Sequence, residues 1–294
     1  MAVFYRRLPR FRYTAPGTLE EALGLLNDQK GATRLLAGGT DLIPQLKRRG
    51  TVLPETVVDL KGIPGLAAVS YDERSGLRIG ALTTINTVSR TPVIQKRFSI
   101  LAQAAATMAS PQVRNRGTFA GNICTAVPSA DSAPALLSLE AQVRLRGAGG
   151  ERIVPLDGFF IGPRRTVAEP DEILQSILVP SPEEGCRGIY LKLSPRHSMD
   201  LAIVGVAATG VAEAGSCKKI CLALGAVAPT PIRARQAEVI LTGQRLNPEV
   251  IEAAARMAME ECRPIDDHRA SADYRRDMVY MLTRRAINQI FPSV

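Results

Sequence analysis

Two short glycine-containing segments hold the residue types best suited to ligand chemistry, Ala37-Gly38-Gly39-Thr40-Asp41 and Thr118-Phe119-Ala120-Gly121-Asn122. Glycine lets backbone N–H groups approach a ligand closely, and successive N–H groups in a turn form a concave site for an anion such as a pyrophosphate. The Thr, Asp and Asn side chains add hydroxyl, carboxylate and amide partners for phosphate oxygens and ribose. A single turn of this kind is usually only a turn. Two of them in one predicted domain favour a dinucleotide-binding site.

Other kinds of site have little support in the sequence. No G-x-G-x-x-G motif follows a predicted strand and no Gly-Lys pair occurs, which argues against Rossmann and P-loop nucleotide sites. His197 and His268, the only histidines, lie among charged residues and are expected at the surface, so no histidine-rich metal site is predicted. Cys217 and Cys221 are expected to share one face of a strand, too far apart for a disulfide or a common metal ion. They are predicted to be buried structural thiols, and no catalytic residue is predicted.

Length and composition indicate a folded globular protein of about two domains. The chain has 294 residues, of which 46% are hydrophobic and 22% charged, and its mean hydropathy is +0.03. A formal net charge of +9 and a pI near 9.6 raise nucleic acid, an anionic membrane or an acidic ligand as partners. The longest apolar run, residues 201–212, is shorter than the roughly 18 residues of a membrane span. The N-terminal residues lack the apolar stretch of a secretory signal and the five cysteines are scattered, so a cytoplasmic location is expected.

Elements of both kinds are predicted around the two glycine segments. A capping box at Thr18-Leu19-Glu20-Glu21 begins a helix that ends near Gly31, and a strand at Leu35-Leu36-Ala37 leads into the first glycine segment. Strands are also expected at residues 56–60, 66–70 and 77–80, and a largely helical region with a break near Pro92 at residues 83–109. Residues 110–134, which include the second glycine segment, are rich in Gly, Pro, Ser and Asn and are predicted to be a functional loop, followed by an Ala- and Leu-rich helix before residue 142.

The remainder of the chain predicts strands followed by helices. Residues 142–146 and 152–155 flank a glycine-rich hairpin turn, residues 173–179 form a strand, and residues 180–188 are the candidate domain boundary. Further strands are predicted at 189–193, 201–212 and 219–227, and helices at 232–241, 248–261 and 272–289. Strands followed by helices indicate an α+β arrangement rather than a βαβ repeat.

Three segments together resemble the FAD-binding medium subunit of the xanthine dehydrogenase and carbon monoxide dehydrogenase family of molybdenum hydroxylases. They are residues 35–42, residues 109–123, and Pro128-Ser129-Ala130-Asp131, and the resemblance covers essentially the whole chain. It implies an α+β fold with a two-lobed FAD-binding domain of the vanillyl-alcohol-oxidase (PCMH) type at residues 1–179, with lobes at about 1–60 and 61–179. It further implies a small α+β C-terminal flavoprotein domain of the carbon monoxide dehydrogenase type at residues 186–294.

The resemblance also implies which residues contact FAD. They are Leu35, Leu36, Ala37, Gly38, Gly39, Thr40, Asp41, Leu42, Thr118, Phe119, Ala120, Gly121, Asn122, Asp131, Leu174 and Lys192. Phe119-Ala120 replaces the commoner Ile-Gly of the family and narrows the backbone freedom at Ala120. A valine at Gly38 or Gly121 is expected to abolish FAD retention by blocking the approach of the backbone to phosphate.

By the same resemblance, the chain is an electron relay and not the site of substrate chemistry. FAD takes electrons from an iron–sulfur small subunit and passes them to an external acceptor such as NAD or quinone, and a large subunit carries molybdopterin. The two-iron clusters are expected on the partner, because the five cysteines lack cluster spacing. A dimer of heterotrimers is expected, and the absence of a cysteine-rich insertion argues against the hydroxybenzoyl-CoA reductase branch. The substrate, the final acceptor and NAD binding by this chain stay open.

The sequence is also compatible with three alternatives. One is a stand-alone FAD reductase that uses NADPH on a cell-wall sugar nucleotide, and another is a scaffold subunit that has lost FAD. The third is a basic nucleic-acid-binding protein, which the 4% aromatic content, the absence of Trp and the lack of a basic run longer than Lys47-Arg48-Arg49 disfavour. Part of the positive charge, including Arg6, Arg7, Arg10 and Arg12, is instead assigned to docking against partner subunits, and a smaller part to neutralising the FAD pyrophosphate.

Overall fold

The computed structural model describes residues 7–28, 31–49, 53–196 and 199–292, so Arg6 and His197 lie outside the described residues. His268 is exposed, as predicted. The chain forms three sections in sequence order, here called the first (residues 7–66), second (67–186) and third (187–292) sections. Each is built around its own sheet and hydrophobic cluster. The predicted α+β class is confirmed.

The first section is a three-stranded parallel sheet with two helices. Its elements are β1 (Arg12–Thr14), α1 (Leu19–Asp28), β2 (Thr33–Leu36), α2 (Leu42–Arg48) and β3 (Thr56–Asp59), with β3 between the other two strands. The predicted capping box begins α1: the Glu21 N–H donates to Thr18 Oγ1 at 3.2 Å. The Glu21 carboxylate accepts from the N–H of Gly17 at 2.8 Å, one residue earlier than the motif predicts.

The second section is a five-stranded antiparallel sheet in the order β4-β5-β10-β6-β7, covered by short helices. Its elements are β4 (Val69–Asp72), β5 (Gly76–Gly80), α3 (Ile85–Arg90), α4 (Pro92–Arg97), α5 (Ser99–Thr107), α6 (Pro111–Arg114), α7 (Phe119–Thr125), α8 (Ser132–Ser138), β6 (Gln142–Gly147), β7 (Gly150–Pro155), β8 (Phe160–Gly162), β9 (Arg165–Thr166) and β10 (Ile173–Val179). The predicted hairpin, the helical region with its break at Pro92 and the strand at 173–179 are confirmed. The strand expected at 66–70 begins only at Val69, because the Leu66 carbonyl accepts from the Leu82 N–H outside the ladder.

The loop predicted at residues 110–134 is wrong, since α6 and α7 lie within it, while the helix expected after it is α8, which begins at Ser132. Ser110 caps α6 by accepting from the Val113 N–H at 3.4 Å, and Pro111 is the first residue of that helix. Proline fits this position because its missing N–H has no helical partner there. The residues that indicated a loop are therefore helix caps and first-turn residues.

The third section is a four-stranded antiparallel sheet in the order β11-β12-β13-β14, followed by three helices. Its elements are β11 (Arg187–Leu193), β12 (Val204–Glu213), β13 (Ser216–Gly225), β14 (Ile232–Arg233), α9 (Arg235–Leu241), α10 (Pro248–Glu261) and α11 (Ala272–Ile290). The helix predicted at 248–261 is confirmed at those bounds, and the other strands and helices agree within a few residues.

Cys217 and Cys221 are both buried in β13, as predicted, but they do not share a face. An irregularity in the β12–β13 register leaves Lys218 and Lys219 exposed in succession and shifts the alternation of side chains. Cys217 consequently packs in the hydrophobic cluster of the third section, whereas Cys221 accepts from Arg233 Nη2 at 3.0 Å.

Candidate functional site

A cavity of about 790 Å³ opens where the three sections meet. Its walls come from the first glycine segment, from the residues around α6 and α7, from Ile173 and Leu174 of β10, and from Met199, Asp200 and Leu201 of the third section. A volume of this size lies within the range of about 300 to 1,000 Å³ that is typical of cofactor pockets.

Most of the predicted site residues line this one cavity. They are Leu35, Ala37, Gly38, Gly39, Thr40, Asp41, Leu42, Thr118, Ala120, Gly121, Asn122, Asp131 and Leu174. Three others lie behind its walls. Leu36 packs against Gly39, Phe119 is fully buried in the hydrophobic cluster of the second section, and Lys192 reaches the cavity through Asp131. Contact of each residue with a bound cofactor stays a prediction.

The first glycine segment packs directly against the backbone that precedes α7. A Cβ atom on Gly38 would lie 2.0 Å from the carbonyl oxygen of Arg116, and Gly39 has a φ of +78°, which favours glycine. Close approach of a phosphate at Gly38 stays a prediction. The structure adds a second reason for glycine at this position, the close approach of two protein segments.

The second glycine segment is the start of a helix and not a second turn of the same kind. Thr118 caps α7 by accepting from the Gly121 N–H at 2.9 Å, and a Cβ on Gly121 would lie 2.9 Å from the same hydroxyl oxygen. At the other end of α7, Thr125 donates to Asp41 Oδ2 at 3.4 Å and so links the two segments across the cavity wall.

A charged network supports the first glycine segment from behind. Asp59, at the end of β3, is 5% exposed and accepts from Tyr13 Oη at 2.6 Å, and Lys61 Nζ lies 2.6 Å from its Oδ1. Lys61 Nζ also donates to the Ala37 carbonyl at 3.3 Å. Burial raises the pKa of Asp59, but the bonds from Lys61 and Tyr13 outweigh it, so the pKa lies below the ordinary carboxyl value.

A second network joins the cavity to the third section. Asp131, on the cavity wall, accepts from Tyr190 Oη at 2.7 Å and from Lys192 Nζ at 2.9 Å. Burial raises the pKa of Asp131 above the ordinary carboxyl value. The Lys192 ammonium and the Tyr190 hydroxyl lower it but do not outweigh burial. Burial and the adjacent carboxylate raise the pKa of Tyr190 well above its ordinary value, so Tyr190 keeps its proton and donates.

Several lining residues carry no signal in the sequence. Arg34 and Arg164 place cations at the cavity, and Arg164 is held at a φ of +60° with its N–H donated to the Ala126 carbonyl at 2.8 Å. Ser110, Thr125 and Ser129 add hydroxyl groups. An arginine outside any motif is one of many in a basic chain, so only the tertiary structure distinguishes these two.

The arrangement fits a dinucleotide cofactor. Glycine backbone, hydroxyl groups and two arginines suit a pyrophosphate, and apolar residues such as Ile85, Val113 and Leu174 supply surface for a flat ring. Among the described residues, no group of three or more His, Cys, Asp or Glu side chains is placed to hold a metal ion. Within the same residues, no helix is long and apolar enough to cross a membrane.

Comparisons with known proteins agree with this geometry. Residues 9–182 match the family described as the FAD binding domain in molybdopterin dehydrogenase, and residues 189–290 match the CO dehydrogenase flavoprotein C-terminal domain. The chain is 38% identical to the carbon monoxide dehydrogenase medium chain of Hydrogenophaga pseudoflava over 95% of its own length and 96% of that chain. It is 34% identical to the putative xanthine dehydrogenase FAD-binding subunit of Escherichia coli (strain K12), over 94% of each.

A solved structure supports the same likeness. Carbon monoxide dehydrogenase from Hydrogenophaga pseudoflava, in a form that lacks the Mo-pyranopterin moiety of the molybdenum cofactor, contains a chain that matches with a TM-score of 0.94. That match is 38% identical and covers 97% of this chain and 99% of the other.

Proposed function

The chain belongs to the family of FAD-binding subunits of molybdopterin dehydrogenases, and we propose that it relays electrons within a molybdenum hydroxylase complex. Electrons enter from an iron–sulfur subunit and leave to an external acceptor such as NAD or quinone. FAD supplies the relay because a flavin can take electrons singly and release them in pairs. The match of residues 189–290 to the flavoprotein C-terminal domain favours this function over a stand-alone cell-wall reductase.

The observation that carries the proposal is the single cavity that collects thirteen of the predicted FAD-contacting residues. In this account Gly38, Gly39 and Thr40 bind the pyrophosphate, and Arg34 and Arg164 neutralise it. Asp131, with its partner Lys192, presents a fixed carboxylate to the cofactor. Leu174 packs against the ring and keeps water from it.

We propose the partners that the family resemblance implies, a large subunit with molybdopterin and a small subunit with two-iron clusters, assembled as a dimer of heterotrimers. Relatives named as medium chains of carbon monoxide dehydrogenases support a large and a small partner. The domain division proposed is residues 1–179, with lobes at about 1–60 and 61–179, and residues 186–294. The matched ranges 9–182 and 189–290 support it. A cytoplasmic location is proposed from the five cysteines, all of which are free thiols.

The relay is tested on the complex isolated with this chain, before and after removal of FAD. The complex is reduced anaerobically with dithionite and mixed with NAD⁺ or a short-chain quinone, and reoxidation of the iron–sulfur clusters is followed by their absorption. We expect one of these acceptors to reoxidise the clusters of the FAD-loaded complex quickly and those of the FAD-free complex hardly at all. Equal rates with and without FAD would contradict the relay.

A further inference from the structure

The hydroxyl of Tyr190 is buried behind the wall of the cofactor cavity, against the lining residue Asp131, although Tyr190 belongs to the third section. Its side chain lies in β11, is 6% exposed, and donates from Oη to Asp131 Oδ1 at 2.7 Å. We propose that Tyr190 is a positioning residue of the FAD site, which holds the Asp131 carboxylate in one orientation and thereby strengthens FAD binding. The inference rests on the proposed function of the cavity.

The strand geometry of β11 brings two donors to one carboxylate. Side chains two positions apart in a strand point to the same face, so Tyr190 and Lys192 both face the second section. Lys192 Nζ donates to Asp131 Oδ2, and Tyr190 Oη donates to Oδ1. Each oxygen of the carboxylate therefore has its own donor from the third section.

Space for the Tyr190 hydroxyl depends on a glycine in the next strand. Gly205 of β12 pairs with Lys192, and a Cβ built on Gly205 would lie 2.8 Å from Tyr190 Oη. Such a contact is too close, so the hydroxyl would have to move away from its present place. Gly205 thus permits the bond between Tyr190 and Asp131.

Lys192 alone does not hold Asp131 in this orientation. Its ammonium is shared with the carbonyl oxygens of Thr107 at 3.3 Å and Asp200 at 2.9 Å. Without Tyr190, Oδ1 of a carboxylate that is only 7% exposed would lose the one donor found for it among the described residues. A buried oxygen without a donor is costly, so the carboxylate would rotate, bind water or take up a proton.

The test compares three variants of the full chain that should all fold. Tyr190→Phe removes only the hydroxyl and keeps the ring and the backbone N–H bond to Gln103 Oε1 at 3.0 Å. Gly205→Ala displaces the hydroxyl without changing Tyr190 itself. The control is Thr209→Val, which also removes one buried hydroxyl bond between the third and second sections, from Thr209 Oγ1 to the Ser138 carbonyl at 2.5 Å, but lies away from the FAD cavity.

Two quantities are measured for each variant: the FAD dissociation constant, by titrating the FAD-free chain, and the melting temperature of the FAD-free chain. We expect Tyr190→Phe and Gly205→Ala to raise the dissociation constant about tenfold, the size of effect expected for a hydrogen bond to a charged group, and to shift the flavin absorption band. Thr209→Val should lower the melting temperature but leave the dissociation constant within about twofold, because its bond does not reach the cavity.

A dissociation constant for Tyr190→Phe within about twofold of wild type, or an equal rise in Thr209→Val, would overturn the role of Tyr190. Failure of the wild-type chain to bind FAD would instead contradict the proposed function of the cavity. The two failures are therefore distinguishable.

Discussion

Lys61 shapes the first glycine segment although it does not line the cavity. Its ammonium lies between the Asp59 carboxylate, at 2.6 Å, and the Ala37 carbonyl, at 3.3 Å. The bond to Ala37 fixes the peptide that precedes Gly38 and Gly39. A lysine in this role has no sequence signature, because its two partners lie at different distances along the chain and only the fold brings them together.

Replacement of Lys61 by Met should weaken FAD binding about twofold to tenfold, the range expected for the loss of one hydrogen bond. The apolar methionine retains most of the side-chain volume but releases the Ala37 carbonyl. The dissociation constant of FAD, measured by titration of the FAD-free chain, checks this expectation.

Lys218→Met is the matched control, since Lys218 is similarly exposed and pairs with Glu183 and Glu213 at the surface. It should bind FAD as wild type does. If Lys61→Met also binds FAD with wild-type affinity, Lys61 does not position the glycine segment.

The elements around the cavity show what the sequence could and could not predict. The strand β10 and the helix α10 were predicted at their observed bounds, because β10 is a short segment of mostly apolar residues and the apolar residues of α10 recur with a helical period. The two short helices α6 and α7 were missed, whereas the Ala- and Leu-rich helix α8 was predicted. Short helices consist mostly of caps and first turns, and Ser110, Pro111 and Thr118 are the residue types that also form loops.

The first glycine segment packs so closely against the backbone before α7 that one methyl group added at Gly38 should destabilise the fold. Gly38→Ala would place its Cβ 2.0 Å from the Arg116 carbonyl oxygen, so one segment must move. We expect the free energy of unfolding of the FAD-free chain to fall by about 1 to 3 kcal/mol, the usual cost of overpacking, and FAD content to fall as well. Urea unfolding and flavin absorption measure the two effects.

Gly158→Ala serves as the control, because a Cβ at Gly158 has no heavy atom within 4 Å. Its unfolding free energy should stay within about 0.5 kcal/mol of wild type. Wild-type stability in Gly38→Ala would show that the two segments are not packed as described.

The last helix is anchored to the sheet of the third section by a buried arginine. Arg275 of α11 donates to the carbonyls of Ile203 and Ala226 and to Asp267 Oδ1 at 2.8 Å. Burial raises the pKa of Asp267, but the backbone N–H groups of Arg269 and Ala270 and the charge of Arg275 outweigh it and lower the pKa to about 2.

Because this pKa lies below that of an unfolded aspartate, the charged form of Asp267 stabilises the fold above about pH 4 and loses this effect as the pH falls towards 2. Asp267→Asn should lower the free energy of unfolding at pH 7 by about 1 to 2 kcal/mol, after allowance for partial exposure. The difference from wild type should shrink as the pH falls from 4 towards 2. Urea unfolding at a series of pH values measures it.

Asp273→Asn, at the exposed start of the same helix, should show little effect at any pH. If Asp267→Asn and wild type differed in unfolding free energy by the same amount at pH 7 and pH 2, the charged form of Asp267 would not be the source of the stabilisation.

At the scale of the whole molecule, the cavity is a product of all three sections. The first section supplies the glycine segment, and the second supplies Asp131 and the helices around it. The third supplies residues 199–201 to the wall and, behind the wall, Tyr190 and Lys192. The positive charge is also distributed unevenly along the chain. Residues 1–182 hold 22 Lys and Arg against 15 Asp and Glu, whereas residues 183–294 hold 15 against 13. The family resemblance predicted thirteen of the lining residues, whereas the networks behind them depend on contacts between sections that no local pattern encodes.

Binding of FAD in this cavity is measured by the amount of FAD held per chain. The wild-type chain and Thr40→Trp, which places a large ring on the cavity wall, are saturated with FAD, freed of excess cofactor and denatured, and the released flavin is quantified. We predict one FAD per wild-type chain and a much lower FAD content in Thr40→Trp. The melting temperature of the FAD-free Thr40→Trp chain should be close to that of the FAD-free wild-type chain. A colourless wild-type protein, or full FAD content in Thr40→Trp, would contradict the account.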